Sequence, residues 1–139
     1  LIGVEAGGPK KSKLHSAPLS KNDKIVILHG AASYVCQNNE GQIHETESIS
    51  AGLDYPGVGP MHAHLFKSEI AEFVSITDDE AMTAGLELSQ LEGIIPAIET
   101  AHAFAVLDQK KFKKDDIVVF NCSGRGDKDL DTFIEYFKL

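Results

Sequence analysis

Chemistry in this chain is most readily read from the run Asn121-Cys122-Ser123-Gly124-Arg125-Gly126-Asp127, which sets a hydroxyl and two glycines directly after a β-branched stretch. Glycines let a backbone approach a flat or anionic ligand, and Ser123 can donate or accept a hydrogen bond. A helix starting beyond them offers free N–H groups. A plain strand-to-helix turn is an equal reading of the same residues. The triplet Arg125-Gly126-Asp127 also spells an adhesion tripeptide, which in an α/β core is a chance match. A second run, Ser50 to Pro60, carries Gly52, Gly57, Gly59, Pro56 and Pro60 around the carboxylate of Asp54. Main-chain carbonyls held at that density can hold a hard cation, and a structural turn is again an equal reading. Glu99 stands beside Thr100 and His102 where a helix should start. A carboxylate there is either buried or, more commonly, a favourable partner of the helix dipole.

The histidines and cysteines give less. His62 and His64 are two apart, which on a helix turns them to different faces, and no carboxylate sits at a supporting offset, so no metal site is read from them. His15, in a polar loop, is the only other histidine of interest. Cys36 and Cys122 lack Cys-x-x-Cys spacing, which suggests neither a disulfide framework nor a zinc site and fits a reducing, cytoplasmic setting.

The elements that must position these residues follow from pattern. Residues 9–23 are polar and basic, with Lys10, Lys11, Lys13 and Lys21, and read as an exposed loop. Lys24 to Leu28 is a short strand ending near Gly30, and Asn38-Asn39-Glu40-Gly41 is turn chemistry. The glycines and prolines of residues 48–60 exclude regular helix or central strand. Phe73-Val74-Ser75-Ile76 reads as a strand. Thr77-Asp78-Asp79-Glu80 then forms a capping box for a helix running to about Glu92, with Gly93 placed to end it. A second helix spans about Glu99 to Lys111. Ile117-Val118-Val119-Phe120 has the unalternated pattern of a strand covered on both faces, and a polar helix from about Lys128 to Lys138 closes the chain. This order predicts an α/β fold, a mostly parallel sheet with flanking helices, with residues 1–139 as a single segment. In such sheets ligands sit at the carboxyl ends of strands, which directs attention to the residues after Phe120.

With 13 Lys plus Arg against 21 Asp plus Glu, the formal charge of -8 repels phosphate backbones and anionic lipid, so neither nucleic acid nor membrane is expected as a partner. No apolar run approaches the roughly 18 residues of a membrane span. Leu1, Ile2 and Val4 read as the end of a buried strand without an initiator Met, so the chain reads as starting inside an element, as a piece of a longer protein would.

Taken together, six runs resemble tryptophan synthase beta chains in order and spacing. They are Gly3 to Gly8, Gly41-Gln42-Ile43, Ser48 to Pro60, Val74 to Ala81, Glu92 to Glu99 and Asn121 to Asp129. The resemblance covers essentially the whole chain and about the last third of a beta chain. It implies the C-terminal, cofactor-binding part of a fold type II pyridoxal-phosphate enzyme, a lyase of tryptophan biosynthesis that joins L-serine to indole by β-replacement. It further implies that Ser123 faces the pyridine nitrogen of the cofactor, and that Gly52, Glu99 and Gly124 line its pocket, with Glu99 also catalytic. Asp54 is implied to close on an arginine of a mobile domain, while the carbonyls of Tyr55 and Gly57 help hold a monovalent cation, sodium or potassium. The implied partners are an alpha chain that delivers indole and a second beta chain. The Schiff-base lysine and the glycine-rich phosphate loop of the family lie outside these residues, so the segment alone is expected to be inactive. Two departures stand out: the loop from Pro9 to Ala17 lacks the family's glycines, and the aromatic pair of the indole tunnel appears as Leu28 and His29. These leave two other readings open, a diverged β-replacement enzyme using another nucleophile, and a non-catalytic remnant serving as a binding or structural module.

Overall fold

The computed structural model describes residues 1–139, which form two compact units, Leu1–Asp78 and Asp79–Leu139. In the first, strand β1 (Ile2–Gly8) pairs in parallel with β4 (Glu72–Thr77), from Ile2 opposite Glu72 to Ala6 opposite Ile76, with a register shift before Gly8. Gly8 has φ +72°, and a side chain there would overlap the Leu14 carbonyl oxygen, so the strand can turn off the sheet only through glycine. Strands β2 (Ile25–Leu28) and β3 (Ala31–Tyr34) form an antiparallel hairpin. Its two turn residues, His29 and Gly30, both take positive φ, which matches the right-handed twist of the flanking strands. Strand β2 stands where the pattern predicts one, whereas β3 and helix α1 (Pro60–Lys67), which starts on a proline in its first turn, are elements the sequence pattern does not announce.

Residues 9–23 depart from the expected exposed loop. Lys10, Lys11, Lys13 and Lys21 do face solvent, but Ser16 to Leu19 are buried and Leu19 is fully so. The reason lies in β1. The buried Glu5 carboxylate accepts hydrogen bonds from the backbone N–H groups of Leu19 and Ser20 and from the Ser20 hydroxyl, at 3.1, 2.7 and 2.7 Å. These bonds draw the loop onto the strand and supply the partners a buried carboxylate requires. Leu19, Ala17, Val35, Cys36, Ala6 and Ile76 form the core of this unit.

The second unit is helical, with α2 (Asp78–Glu92) opening at its boundary, then α3 (Ile98–Phe104), α4 (Val106–Gln109), a 3-10 turn (Gly126–Asp129) and α5 (Leu130–Phe137). Gly93, at φ +69°, ends α2 as its type and position predict. Three helices meet at Gly85, where a Cβ would come within 2.9 Å of the Phe133 ring and 3.2 Å of Ala101 Cβ. The stretch Ile117 to Phe120 is not a strand. Ile117 is 92% and Val119 87% exposed, and only Phe120 packs, stacked on Phe104 with ring centroids 4.8 Å apart. A strand exists only through its ladder, and residues 79–139 contain no other strand to pair with it. The parallel β1–β4 pair and the helices together make the chain α/β, as the element order predicts.

Candidate functional site

The expected site residues fall into two groups, one in each unit. In the second unit, Ser123 and Gly124 lie on an extended loop laid along the entry to α3. The N–H of Ala97 donates to the Gly124 carbonyl at 3.2 Å and the N–H of Gly126 to Ile95 O at 2.8 Å, around a bridge between Pro96 and Arg125. A side chain on Gly124 would press on Ala97 Cβ at 3.0 Å, a tight contact, while one on Gly126 would overlap the Pro96 carbonyl oxygen, so this close approach requires glycine at 126. The loop leaves Ser123 exposed, with its hydroxyl 3.5 Å from that of Thr100. Two hydroxyls beside a glycine form an open shelf that suits one polar edge of a flat ring.

Glu99 occupies the first turn of α3, as the dipole argument anticipates, and Lys128 donates to its Oε2 at 3.0 Å. Lys128 also donates to both Asp129 oxygens at 2.8 Å, and these carboxylates, Asp129 first, hold its ammonium above the ordinary lysine range. Asp129 was invisible in the sequence as a site residue. It accepts the N–H of Ile98 at 3.0 Å and so caps α3 from a distance of 31 residues, a contact that carries no local pattern.

In the first unit the loop of residues 50–60 is shaped by its own backbone. Ser50 O accepts the N–H groups of Leu53 and Asp54, each at 3.1 Å, and Gly57 bridges Val35 through the bonds Cys36 N to Pro56 O at 2.7 Å and Val58 N to Tyr34 O at 3.3 Å. Asp54 is exposed and receives a hydrogen bond from the Ser16 hydroxyl. A concavity of about 410 Å³ lies between β1 and this loop, bordered by Gly3, Gly52, Leu53, Tyr55 and His62. A second, of about 300 Å³, is bordered by Leu28, His29, Tyr55 and Gly57. The His29 ring stands 6.2 Å from that of Tyr55. His62 and His64 both lie on α1, with His62 edge-on to Phe73 and His64 beside Ser68.

His15 has company that spacing did not reveal. Its ring lies within a cluster in which ligand atoms of His15, Asp23 and Cys36 are all within 4.8 Å of one another.

Comparison with known proteins places this geometry in context. The family described as "Pyridoxal-phosphate dependent enzyme" matches residues 19–124. The chain is 53% identical over 135 residues to the tryptophan synthase beta chain of Phocaeicola vulgatus, covering 97% of this chain and 34% of that protein. It is 50% identical over 133 residues to that of Azobacteroides pseudotrichonymphae (96% and 34%) and 50% over 136 residues to that of Bacteroides thetaiotaomicron (98% and 34%). The chain spans about a third of the length of the curated relatives it matches.

Proposed function

This chain belongs to the pyridoxal-phosphate-dependent enzyme family, and on that premise we propose that it is the C-terminal part of a tryptophan synthase beta chain, which condenses L-serine with indole. The observation that carries the reading is the Ser123–Gly124 shelf. It offers a neutral hydroxyl and a side-chain-free backbone to one edge of a flat ring. When bound, pyridoxal phosphate supplies an electron sink for the bonds at the amino-acid Cα.

The chain's own residues then have distinct tasks. Ser123 meets the ring nitrogen with a hydroxyl, which cannot stabilise ring protonation as a carboxylate would, and this favours loss of the serine hydroxyl over transamination. In the second unit Gly124 leaves room for the ring, and Glu99, oriented by Lys128, holds or moves a proton. In the first unit Gly52 leaves room for the substrate. Asp54 pairs with an arginine elsewhere in the full protein and excludes water on closure. The carbonyls of Tyr55 and Gly57 are donors for sodium or potassium. The Val35–Gly57 bridge uses Pro56 O and Val58 N, so neither of these two carbonyls is consumed by it. The exposed Ile117, Val119 and Ile27 are surfaces for the remaining two-thirds of a beta chain to cover. An alpha chain, a second beta chain and a cytoplasmic location belong to the same proposal. No helix here is long and apolar enough to cross a membrane.

A second reading is favoured by one feature. Leu28 and His29 border the 300 Å³ concavity where the resemblance leads one to expect two aromatic residues, so a nucleophile other than indole is the alternative substrate. The test is to express the full reading frame with pyridoxal phosphate and assay L-serine with indole and with small thiols. Tryptophan as the main product supports the first reading. A thioether product without tryptophan replaces it with the second, and no turnover of serine overturns both.

A further inference from the structure

Three side chains unused by the proposed chemistry converge at the end of β3. Cys36 lies two residues beyond the strand and is fully buried. His15 comes from the loop of residues 9–23, and its Nδ1 stands 3.7 Å from Cys36 Sγ. Asp23 closes that loop, and its Oδ2 is buried without a hydrogen-bond partner. Ligand atoms from all three lie within 4.8 Å of one another. A buried carboxylate oxygen is costly without a good partner, and the donor this cluster turns toward Asp23 is the weak Cys36 thiol.

The geometry of the cluster fits a metal. Metal–sulfur and metal–nitrogen distances of about 2.3 and 2.05 Å at a tetrahedral angle put S and N about 3.6 Å apart, close to the separation found. The imidazole is already in the state a metal needs. Its Nδ1 accepts the Ala17 N–H at 3.2 Å, so this nitrogen carries no proton, and an ion bound there takes over the lone pair that now holds that bond. The backbone holds the ligands in place through bonds from Asp23 N to Pro18 O at 2.8 Å and from Cys36 N to Pro56 O at 2.7 Å. Without an ion, burial pushes the Cys36 thiol up to about 12, so the bare site is not a nucleophile. A water can fill the fourth position.

We propose that His15, Asp23 and Cys36 bind one borderline-soft divalent cation of the zinc type, pinning the loop of residues 9–23 to the end of β3. The mixed nitrogen, oxygen and sulfur donor set excludes calcium and magnesium and suits zinc or cobalt(II). On binding, Cys36 gives up one proton to solvent. Thiolate and carboxylate then neutralise the two charges of the ion, so the buried site carries no net charge.

The test uses the full-length protein stripped of metal with a chelator and titrated with cobalt(II). The expected result is a thiolate-to-cobalt charge-transfer band that saturates at one ion per chain and is bleached by equimolar zinc(II). The band should be absent from Cys36→Ser, and Asp23→Asn and His15→Gln should each weaken binding at least about 10-fold, the lower bound set by outer-shell partners of known sites. No such band in the parent, or its retention in Cys36→Ser, overturns the proposal. If Cys36→Ser does not fold, the other two variants decide: unchanged affinity in both overturns it equally.

Discussion

Ser16 Oγ donates to Asp54 Oδ1 across 3.3 Å, tying a buried hydroxyl of the basic loop to the exposed carboxylate proposed to move on closure. An Asp54 that must leave Ser16 to reach an arginine gives up this bond, so Ser16 biases the site toward the open form. In the full protein, Ser16→Ala should favour closure by about 1 kcal/mol, or roughly fivefold, seen as a lower KM for L-serine. Asp54→Ala should slow turnover and leave cofactor binding unchanged. Additive effects in the double variant would show that the two side chains act separately.

Ser123 provides the sharpest chemical test. Ser123→Asp should favour ring protonation, shift the absorbance of the bound cofactor and lower tryptophan formation. Ser123→Ala should only loosen the seating of the ring, by about 1 kcal/mol for one neutral hydrogen bond. Both variants should fold, because Ser123 is exposed on its loop. Spectra and turnover measured side by side decide it, and an aspartate variant that matches the parent in both removes Ser123 from its assigned role.

Two glycines of the second unit should respond differently to alanine. At Gly126 a methyl group would overlap the Pro96 carbonyl oxygen, a backbone atom that cannot step aside, so Gly126→Ala should cost more than about 3 kcal/mol, in the range of exceptional substitutions. Gly93 has open space around it but φ +69°, so Gly93→Ala should cost only about 1 to 2 kcal/mol of left-handed strain. Denaturant midpoints of both variants check the order, and a larger loss at Gly93 would contradict the packing described here.

Glu5 sets a pH dependence. Burial raises its carboxyl above the ordinary value of 4.5, against the lowering effect of its bonds to Ser20 and Leu19. A carboxyl whose folded pKa exceeds its unfolded one holds its proton more tightly in the folded state. Its contribution is therefore fully present below pH 4.5 and is lost as pH rises through the folded value. Unfolding midpoints of the parent and of Glu5→Gln should show the parent losing ground to the variant as pH climbs through that window. A constant difference between the two would mean that Glu5 titrates normally.

Short-range physics made much of this chain legible. Gly93 ends α2 where the pattern places a helix stop, because that signal resides in a few adjacent residues. The resemblance reached the candidate site for the same reason, since the Ser50–Pro60 and Asn121–Asp127 runs are contiguous. Relationships between distant residues emerge only once the chain is packed. Burial of residues 16–19 depends on the carboxylate of Glu5, and the entry of α3 depends on Asp129. The stretch Ile117 to Val119 has strand composition yet remains unpaired, because residues 79–139 contain no other strand to pair with it. His15, Asp23 and Cys36 have no regular spacing to detect, and their side chains meet only when the loop of residues 9–23 folds back and brings His15 and Asp23 against the chain just beyond β3.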